Sequence, residues 1–600
     1  MPSQLAGLTT EQIAIFAILA ALFGLLAWGR WRYDVVAFVA LLAAVLTGLV
    51  PSGEAFAGFG HPATITVAAV LVISRALAGA GATDALVRLV QRASARVSLH
   101  IAALAGLGGL LSCVMNNVGT LGLMMPVALQ SARKAKRSPA LLLMPLSFGT
   151  ILGGLVTLIG TPPNIIVAAY RGEVAGSSFG MFDFTPVGGV VALAGLAFVA
   201  LLGWRLVPKR AVQRAAAEDI FGIEDYVAEA RVVEDSKAVD LTLAELAKQT
   251  EDIDAQVIGL IRGEHHQLRL RSREQLRPGD LLLIEAGPEA IDQFVSKQGL
   301  EFAGPRKARE SLTQSPDSAL AEMVVAPGSP IEGRRVSALR LQHRFGVNLL
   351  AVSRQGRPHR GRLRHLQFRI GDVLLLHGDG ERLPEVASEL GCLPLAAREL
   401  SFGLRGKAPW LIGVFAAAIA LASFGVLSMP IALALAVAVM VAGGLMPLRE
   451  LYEGIDWPVI VLLGSLIPVG GALQSSGATG VIADAMLALT SGMPAVAVLV
   501  LLLVITMTLS DILNNAATAV VMAPIGVTVA ARLDASADPF LMAVAVGASC
   551  AFLTPIGHQN NALILGPGGY GFGDYWRMGL PLELLIVAVA TPMILLVWPL

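Results

Sequence analysis

Long apolar runs separated by short polar connections occupy both ends of the chain. Ten of them are each long enough to cross a hydrocarbon core of about 30 Å as a helix. They lie near residues 11–29, 33–50, 62–80, 140–171 and 186–206, and near 409–426, 429–446, 456–474, 538–566 and 577–599. The pattern predicts two all-α membrane segments, 1–207 and 406–600, each with five helices.

Each membrane segment contains one further apolar run that two asparagines interrupt at its centre. The runs are 98–132 and 494–531, and the interruptions are Asn116-Asn117 and Asn514-Asn515. Cytoplasmic connections concentrate Lys and Arg. If the basic connections of this chain face the cytoplasm, the first run enters and leaves on one side as a re-entrant hairpin. The second hairpin then opens from the opposite face, and both termini are periplasmic in the cell inner membrane.

A repeated motif indicates that the two segments share one plan. Residues 157–164 read TLIGTPPN and residues 554–561 read TPIGHQNN. Gly and Pro interrupt regular helices, so each copy predicts a helix that is unwound in the middle of the membrane. Two such breaks and two oppositely oriented hairpins predict the inverted repeat of a secondary transporter, with its binding site near the midplane.

The central part of the chain is more polar and predicts a soluble, cytoplasmic insert. It is itself duplicated: Arg262 matches Arg354, and the stretch PGDLLL beginning at Pro278 matches IGDVLL beginning at Ile370. Alternating apolar positions and amphipathic stretches predict two small α/β domains, 208–302 and 317–400. A Gly-, Pro- and Lys-containing linker joins them near residues 302–317.

Composition indicates the class of protein and argues against several functions. A mean hydropathy of +0.70, with 55% hydrophobic and 15% charged residues, is typical of a polytopic membrane protein. Lys+Arg 44 balance Asp+Glu 44, so charge predicts no nucleic-acid partner. The three cysteines lack metal-type spacing, and the sequence has no nucleophile with a base and no phosphate-binding glycine loop. We therefore expect neither an enzyme nor an organic cofactor.

The hairpin tips together with TLIGTPPN and TPIGHQNNA resemble the divalent anion:sodium symporter family, within the ion transporter superfamily that includes arsenite permeases. The insert resembles two TrkA C-terminal (RCK-C) domains. The resemblance implies a homodimer in lipid, with a scaffold domain and a moving transport domain that works as an elevator. It also implies a small anionic substrate, Na⁺ as the coupling ion, and a ligand of unknown identity for the RCK-C domains.

The resemblance also assigns residues by position. One Na⁺ site would use Ser112, Asn116, Asn117 and Gly160, and the other Ser510, Asn515 and Gly557. The substrate would contact Asn116-Asn117-Val118, Asn514-Asn515-Ala516, Thr161, Pro162 and His558. The alternative is structural: the asparagines cap helix ends, and His558 is a hydrogen-bonded packing residue.

The tips depart from the family pattern in a way that bears on the substrate. Dicarboxylate carriers of the family have Ser-Asn-Thr at each tip, whereas this chain has Asn-Asn-Val and Asn-Asn-Ala. Losing both Thr hydroxyls removes donors for two separated carboxylates, while clustered amides can still surround a tetrahedral oxyanion. Sulfate is therefore favoured over succinate, and a Na⁺-coupled dicarboxylate symporter is the alternative.

Asp511 is the only carboxylate at either tip. It could balance cation charge or carry a proton, or it could cap a helix at a solvated vestibule. A proton-coupled anion transporter thus stays open. An ion channel regulated by the RCK-C domains is a further class, but the chain lacks a TVGYG-like filter and its inverted hairpins suit alternating access better.

Overall fold

The computed structural model describes residues 8–28, 31–79, 90, 96–135, 137–208, 227–250, 255–262, 265–267, 274–286, 288–304, 318–339, 341–355, 357–359, 363, 366–379, 382–395, 407–490 and 493–600. One compact unit comprises Met1–Lys209, Glu399–Ile564 and Gly571–Leu600. The other comprises Arg210–Arg398 and Leu565–Tyr570. Most of the linker predicted near 302–317 lies outside the described residues.

The described residues of the first membrane segment form eight apolar α-helices. They are α1 (Thr10–Trp28), α2 (Tyr33–Leu46), α3 (Pro62–Gly79), α4 (Val97–Ser112), α5 (Asn117–Lys134), α6 (Ala140–Gly154), α7 (Pro162–Ala175) and α8 (Thr185–Leu201). The two prolines that open α7 fit its first turn, where backbone N–H groups have no helical acceptor. Gly176, with φ +73°, ends α7 in the left-handed conformation. The break between α6 and α7 lies within the TLIGTPPN motif.

The insert forms two five-stranded antiparallel sheets of the same topology. The first contains β1 (Val227–Arg231), β2 (Ala255–Arg262), β3 (His265–Gln267), β4 (Leu281–Ala286) and β5 (Glu301–Gly304), with α9 (Leu243–Gln249) and α10 (Pro288–Gln298). The second contains β6 (Ser318–Val325), β7 (Asn348–Arg354), β8 (Arg357–Pro358), β9 (Val373–Asp379) and β10 (Cys392–Pro394), with α11 (Val336–Leu339), α12 (Leu341–Phe345) and α13 (Leu383–Glu389). Their strand orders, β3-β2-β4-β1-β5 and β8-β7-β9-β6-β10, match strand for strand.

Each sheet contains a matching arginine–aspartate pair. The Arg262 guanidinium donates to the Asp280 carboxylate at 2.8 and 2.7 Å, and Arg354 donates to Asp372 at 2.7 and 2.8 Å. Each arginine also donates to a backbone carbonyl, of Gln275 or Gln367, at 2.8 Å. Hydrogen bonding to its aspartate raises the pKa of each arginine above its usual value. The duplication read from the sequence thus extends to individual side-chain contacts.

The second membrane segment repeats the helical pattern of the first. Its helices are α14 (Ala408–Ser423), α15 (Met429–Ala442), α16 (Leu448–Glu453), α17 (Trp457–Ser475), α18 (Ala478–Leu489), α19 (Ala495–Ile512), α20 (Asn515–Arg532), α21 (Ala537–Ser549), α22 (Gln559–Leu565) and α23 (Trp576–Val597). Packing repeats as well: α4 packs against α5 and α6, and α19 against α20 and α21. The stretches Ser52–Leu77, Trp457–Ser475, Ala495–Ile512, Asn515–Arg532 and Trp576–Val597 are long and apolar enough to span a membrane.

Three details differ from the sequence-based boundaries. The plan of five helices and a hairpin omitted α18, which begins after Gly477; a positive φ of +73° at that glycine turns the chain between α17 and α18. The first α/β domain extends past residue 302, because β5 runs to Gly304. Residues 565–570 group with the insert and not with the second membrane segment. Within that unit a Cβ at Gly566 would lie 1.9 Å from the Gly371 carbonyl oxygen, an approach that only glycine permits.

Candidate functional site

The first hairpin tip joins α4 to α5 and exposes the start of a helix in the membrane unit. Asn116 Oδ1 accepts the Val118 N–H at 3.1 Å, and the Asn116 N–H donates to Ser74 Oγ at 3.3 Å. Asn116 is half-buried and occupies the position of an N-cap. The capping interpretation therefore describes the side-chain contact that Asn116 makes in this structure.

Asn117 is buried and lies between a group of oxygens and an imidazole. In one amide orientation its Nδ2 donates to Ser112 Oγ (2.5 Å) and to the carbonyl oxygens of Thr150 (3.2 Å) and Gly160 (3.3 Å), while its Oδ1 accepts from His558 Nε2 (3.2 Å). In the other orientation Ser112 Oγ donates to Asn117 Oδ1 at 2.5 Å. We name Ser112 Oγ, Asn117 Oδ1 and the carbonyl oxygens of Thr150 and Gly160 the first oxygen cluster.

The helix break of the second half reaches this first tip. Asn560 Nδ2 donates to the Asn117 carbonyl oxygen at 3.1 Å and to Thr150 Oγ at 2.8 Å. Asn561 Oδ1 accepts from Ser147 Oγ at 2.9 Å. Asn560 and Asn561 are both fully buried. Amides from one half therefore bridge to the hairpin and the broken helix of the other.

Matching asparagines hold both helix breaks open. Asn164 Nδ2 donates to the carbonyl oxygens of Gly154 (3.4 Å) and Thr157 (2.9 Å). Asn561 Nδ2 donates to the corresponding carbonyls of Ala551 (3.0 Å) and Thr554 (3.1 Å). Unwinding frees backbone carbonyls that lipid cannot satisfy. In each half, one buried asparagine amide donates to two of the freed carbonyls.

At the second hairpin tip an asparagine again caps the following helix, but the serine binds a backbone carbonyl and not an asparagine side chain. Asn514 Oδ1 accepts the Ala516 N–H at 2.9 Å, which makes Asn514 the N-cap of α20, the helix that Asn515 opens. Ser510 Oγ donates to the Ala548 carbonyl at 2.6 Å. Gly557 lies against the Ser510 carbonyl oxygen, since an added Cβ would be 2.6 Å from it. Ser510 and Gly557 of the predicted second Na⁺ site are thus in contact, and Asn515 begins the helix that follows the tip.

Several buried polar atoms near the two tips lack a hydrogen-bond partner among the described residues, and three of them belong to the helix breaks or to the end of α19. They are Thr161 Oγ, Asn560 Oδ1 and Asp511 Oδ2. Thr161 precedes α7, and the half-buried Pro162 opens that helix. Buried polar groups in folded proteins are normally paired with protein or ordered water. The unpaired atoms at the tips and helix breaks are therefore positions where a ligand, an ion or water would complete the contacts.

The first oxygen cluster fits a sodium ion. In the orientation in which Asn117 Oδ1 faces Ser112 Oγ, the cluster has an amide oxygen, a hydroxyl and two backbone carbonyls, which are the uncharged oxygen donors that broken helices present to Na⁺ in transporters. Ser112, Asn117 and Gly160 were expected there from the sequence, and Thr150 was not. Asn116 was also expected as a Na⁺ ligand, and in this structure its side-chain oxygen accepts the Val118 N–H.

Three residues close to the predicted site were missed by sequence reasoning. Asn560 belongs to the TPIGHQNN motif, and its place in the repeat is occupied by proline in the first half, which hid its contact with Asn117. Thr150 carried no signal beyond being polar in an apolar run. Glu583 did carry one, because it is the only acidic residue between 577 and 599. A lone carboxylate at membrane depth is a functional candidate by default.

Comparison with known proteins agrees with a transport function. The model of the citrate transporter (CitMHS) family matches residues 23–547 and 497–600. The uncharacterized transporter sll0640 of Synechocystis sp. is 31% identical, covering 94% of this chain and 93% of its own. Sodium/sulfate cotransporter 2 of Chlamydomonas reinhardtii is 26% identical, covering 58% of this chain and 41% of its own. Among solved structures, the YdaH transporter of Alcanivorax borkumensis aligns at 15% identity and a TM-score of 0.40, covering 92% of this chain and 87% of that one.

Proposed function

Since the chain belongs to the citrate transporter (CitMHS) family and is therefore a transporter, we propose that it is a secondary active symporter that uses a Na⁺ gradient to take up a divalent inorganic oxyanion such as sulfate. The first oxygen cluster is the observation that carries this proposal. Asn117 joins a cation-type oxygen cluster on one side to His558 and Asn560 on the other. An ion bound in that cluster fixes the orientation of the Asn117 amide, whose other end faces the substrate. Binding of the ion and binding of the substrate are thereby coupled.

Sulfate is favoured by the kind of donors at the crossing of the two halves. The donors are amides and an imidazole on Asn117, Asn560 and His558, close together and without a fixed positive charge. Such a group matches a compact tetrahedral anion better than two carboxylates at opposite ends of a carbon chain. A relative from Chlamydomonas reinhardtii is named a sodium/sulfate cotransporter, which supports the same choice.

The proposal extends to the assembly. The transporter works as a homodimer in the cell inner membrane by an elevator movement, with both termini in the periplasm. The insert lies in the cytoplasm and consists of two RCK-C-like domains that adjust transport when a ligand binds them. The matched sheets and the matched pairs Arg262–Asp280 and Arg354–Asp372 support a duplicated domain of this kind.

Uptake by purified full-length protein in liposomes tests the function. We expect labelled sulfate to accumulate above equilibrium under an inward Na⁺ gradient and not under an equal K⁺ gradient. Asn117→Ala should abolish accumulation, because it removes the amide shared by the cation and substrate sides. Thr508→Ala is the matched control: its hydroxyl bonds only to the Val504 carbonyl of its own helix and is exposed, so uptake should persist.

Competition assays identify the substrate class. Unlabelled sulfate and thiosulfate should compete with labelled sulfate, whereas succinate and citrate should not. The proposal is wrong if Na⁺ drives no sulfate accumulation while a proton gradient does. If succinate or citrate accumulates with Na⁺ and sulfate does not, the symporter is a carboxylate carrier instead.

A further inference from the structure

Two buried carboxyl groups meet in the second half of the membrane unit, beside the second hairpin tip. Asp511 is at the end of α19 and Glu583 is in α23, with 3% and 7% of their surfaces exposed. Asp511 Oδ1 accepts the Leu553 N–H at 2.9 Å, and Glu583 Oε1 accepts the Phe552 N–H at 3.2 Å. The two carboxyl groups thus bind the N–H groups of two consecutive residues of one backbone segment. We name them the carboxyl pair.

The carboxyl pair lacks positive charge to balance it. None of the ion pairs among the described residues includes Asp511 or Glu583. The nearby titratable group is the buried thiol of Cys550, which carries no positive charge, and His558 on the same broken segment bonds to Asn117 and Asn560. Two adjacent carboxylates cannot both be ionised in a buried site without a compensating cation.

The pair is absent from the first half at the corresponding positions. Thr157 Oγ donates to the Cys113 carbonyl and Thr554 Oγ to the Asp511 carbonyl, so Cys113 corresponds to Asp511. Gly188 lies against the Leu155 carbonyl as Gly579 lies against the Phe552 carbonyl. Four residues further along each helix are Ala192 and Glu583. Both carboxyl groups are therefore additions to one half only.

We infer that Asp511 and Glu583 supply the negative charge of the second Na⁺ site, beside Ser510 and Gly557. This inference rests on the proposed function and deepens it. Asp511 follows Ser510 directly, and its Cα would be 2.8 Å from a Cβ on Gly557, so the pair borders the predicted oxygen ligands. Asp511 Oδ2 is buried without a donor among the described residues and is the free acceptor. The first site holds its ion with neutral oxygens, and the second holds its ion with charge.

Isosteric substitutions test the inference without removing volume. Glu583→Gln and Asp511→Asn each remove one charge, and the amide oxygen can still accept the backbone N–H. We expect each to raise the Na⁺ concentration for half-maximal sulfate uptake by about tenfold or more. Stabilisation of the purified protein by Na⁺ against thermal unfolding, measured without sulfate, should shift to higher concentration by the same factor. Asp484→Asn, which removes an exposed carboxylate paired with Arg532, is the control and should leave both unchanged.

The outcomes separate this inference from the proposed function. If wild-type uptake does not depend on Na⁺, the symport proposal fails. If wild-type uptake depends on Na⁺ and both isosteric variants keep its concentration dependence, the carboxyl pair is not part of the cation site. Loss of pH dependence with unchanged Na⁺ dependence would assign a proton to the pair and overturn the inference. Glu583→Ala, which installs the residue of the first half, should give the same shift as Glu583→Gln if charge and not hydrogen bonding is responsible.

Discussion

The two halves of the membrane unit share the contacts that hold the backbone and differ in charge. In both, a buried asparagine ties down the helix break, and a threonine hydroxyl donates to a carbonyl of the hairpin tip. Only the second half has carboxyl groups, Asp511 and Glu583, where the first half has Cys113 and Ala192. The shared contacts bind the backbone carbonyls that an unwound helix leaves without partners in lipid, and this requirement is the same in both halves. On the proposed function, we expect each half to bind its ion in a different way.

The halves also differ in how closely their helices approach. A Cβ on Gly153 would lie 2.0 Å from the Gly109 carbonyl oxygen, so α6 and α4 are in backbone contact there. At the corresponding positions of the second half the chain has Cys550 and Met507. We expect Gly153→Ala to have the largest structural effect of the substitutions considered, about 3 kcal/mol or more of lost unfolding free energy, because backbone atoms cannot move aside as side chains do.

Chemical unfolding of the purified protein measures this effect. Gly106→Ala is the matched control, since it lies in α4 with no atom within 4 Å of an added Cβ. That variant should be as stable as the wild type or more so, because alanine favours helix over glycine. If Gly153→Ala unfolds like Gly106→Ala, the close approach of the first-half helices is wrong.

The asparagines at the helix breaks make different numbers of hydrogen bonds in the two halves. Asn561→Ala removes bonds to the Ala551 and Thr554 carbonyls and to Ser147 of the first half, whereas Asn164→Ala removes bonds to two carbonyls, one of them long. We expect both to destabilise the protein and Asn561→Ala to cost about 1 kcal/mol more, the usual contribution of one hydrogen bond. Thermal unfolding of the two variants in the same detergent measures the difference.

A double variant assigns that difference. Ser147→Ala removes the partner of Asn561, so adding it to Asn561→Ala should cost less than Ser147→Ala costs alone. Equal costs for Asn164→Ala and Asn561→Ala would mean that the bond between the halves contributes nothing measurable to stability.

What the sequence predicted here was local. Gly, Pro and Asn within apolar runs indicated the hairpin tips and the helix breaks, because each such residue disrupts a helix by itself. The strands of the insert followed from alternating apolar positions and from the repeat. The start of α18 was missed because its 12 residues are too few to cross the hydrocarbon core, although polar residues 474–476 separate it from α17.

Contacts between the halves could not be read from the chain. Asn117 and His558 are 441 residues apart, and no local pattern specifies that their side chains meet. Glu583 can be recognised in the sequence as a carboxylate in an apolar run. That it lies beside Asp511 depends on the packing of α23 against α19, which the sequence does not specify. The Asn-Asn pairs were read as a unit, whereas the structure gives their members different contacts, a cap for Asn116 and the oxygen cluster for Asn117.

The asparagine N-caps at the two hairpin tips are the contact that the two halves share most closely. Removing them should have the smallest effect on stability. Asn116→Ala and Asn514→Ala each remove one side-chain bond to a backbone N–H, on Val118 and Ala516. We expect each to lower the unfolding free energy by about 1 kcal/mol, the usual cost of losing an N-cap. Ser536→Ala, which removes the cap of α21 on the Asp538 N–H, is the control and should cost a similar amount.

Transport by the cap variants distinguishes a cap from a ligand. If Asn116 and Asn514 act through the helix ends alone, Na⁺-driven sulfate uptake should persist in both variants at the level of Ser536→Ala, once corrected for the amount of folded protein. A folded Asn116→Ala variant that has lost uptake would instead make Asn116 a ligand of the ion or the substrate, as expected from the family pattern. Loss in only one of the two variants would extend the difference between the halves from the carboxyl pair to the tips themselves.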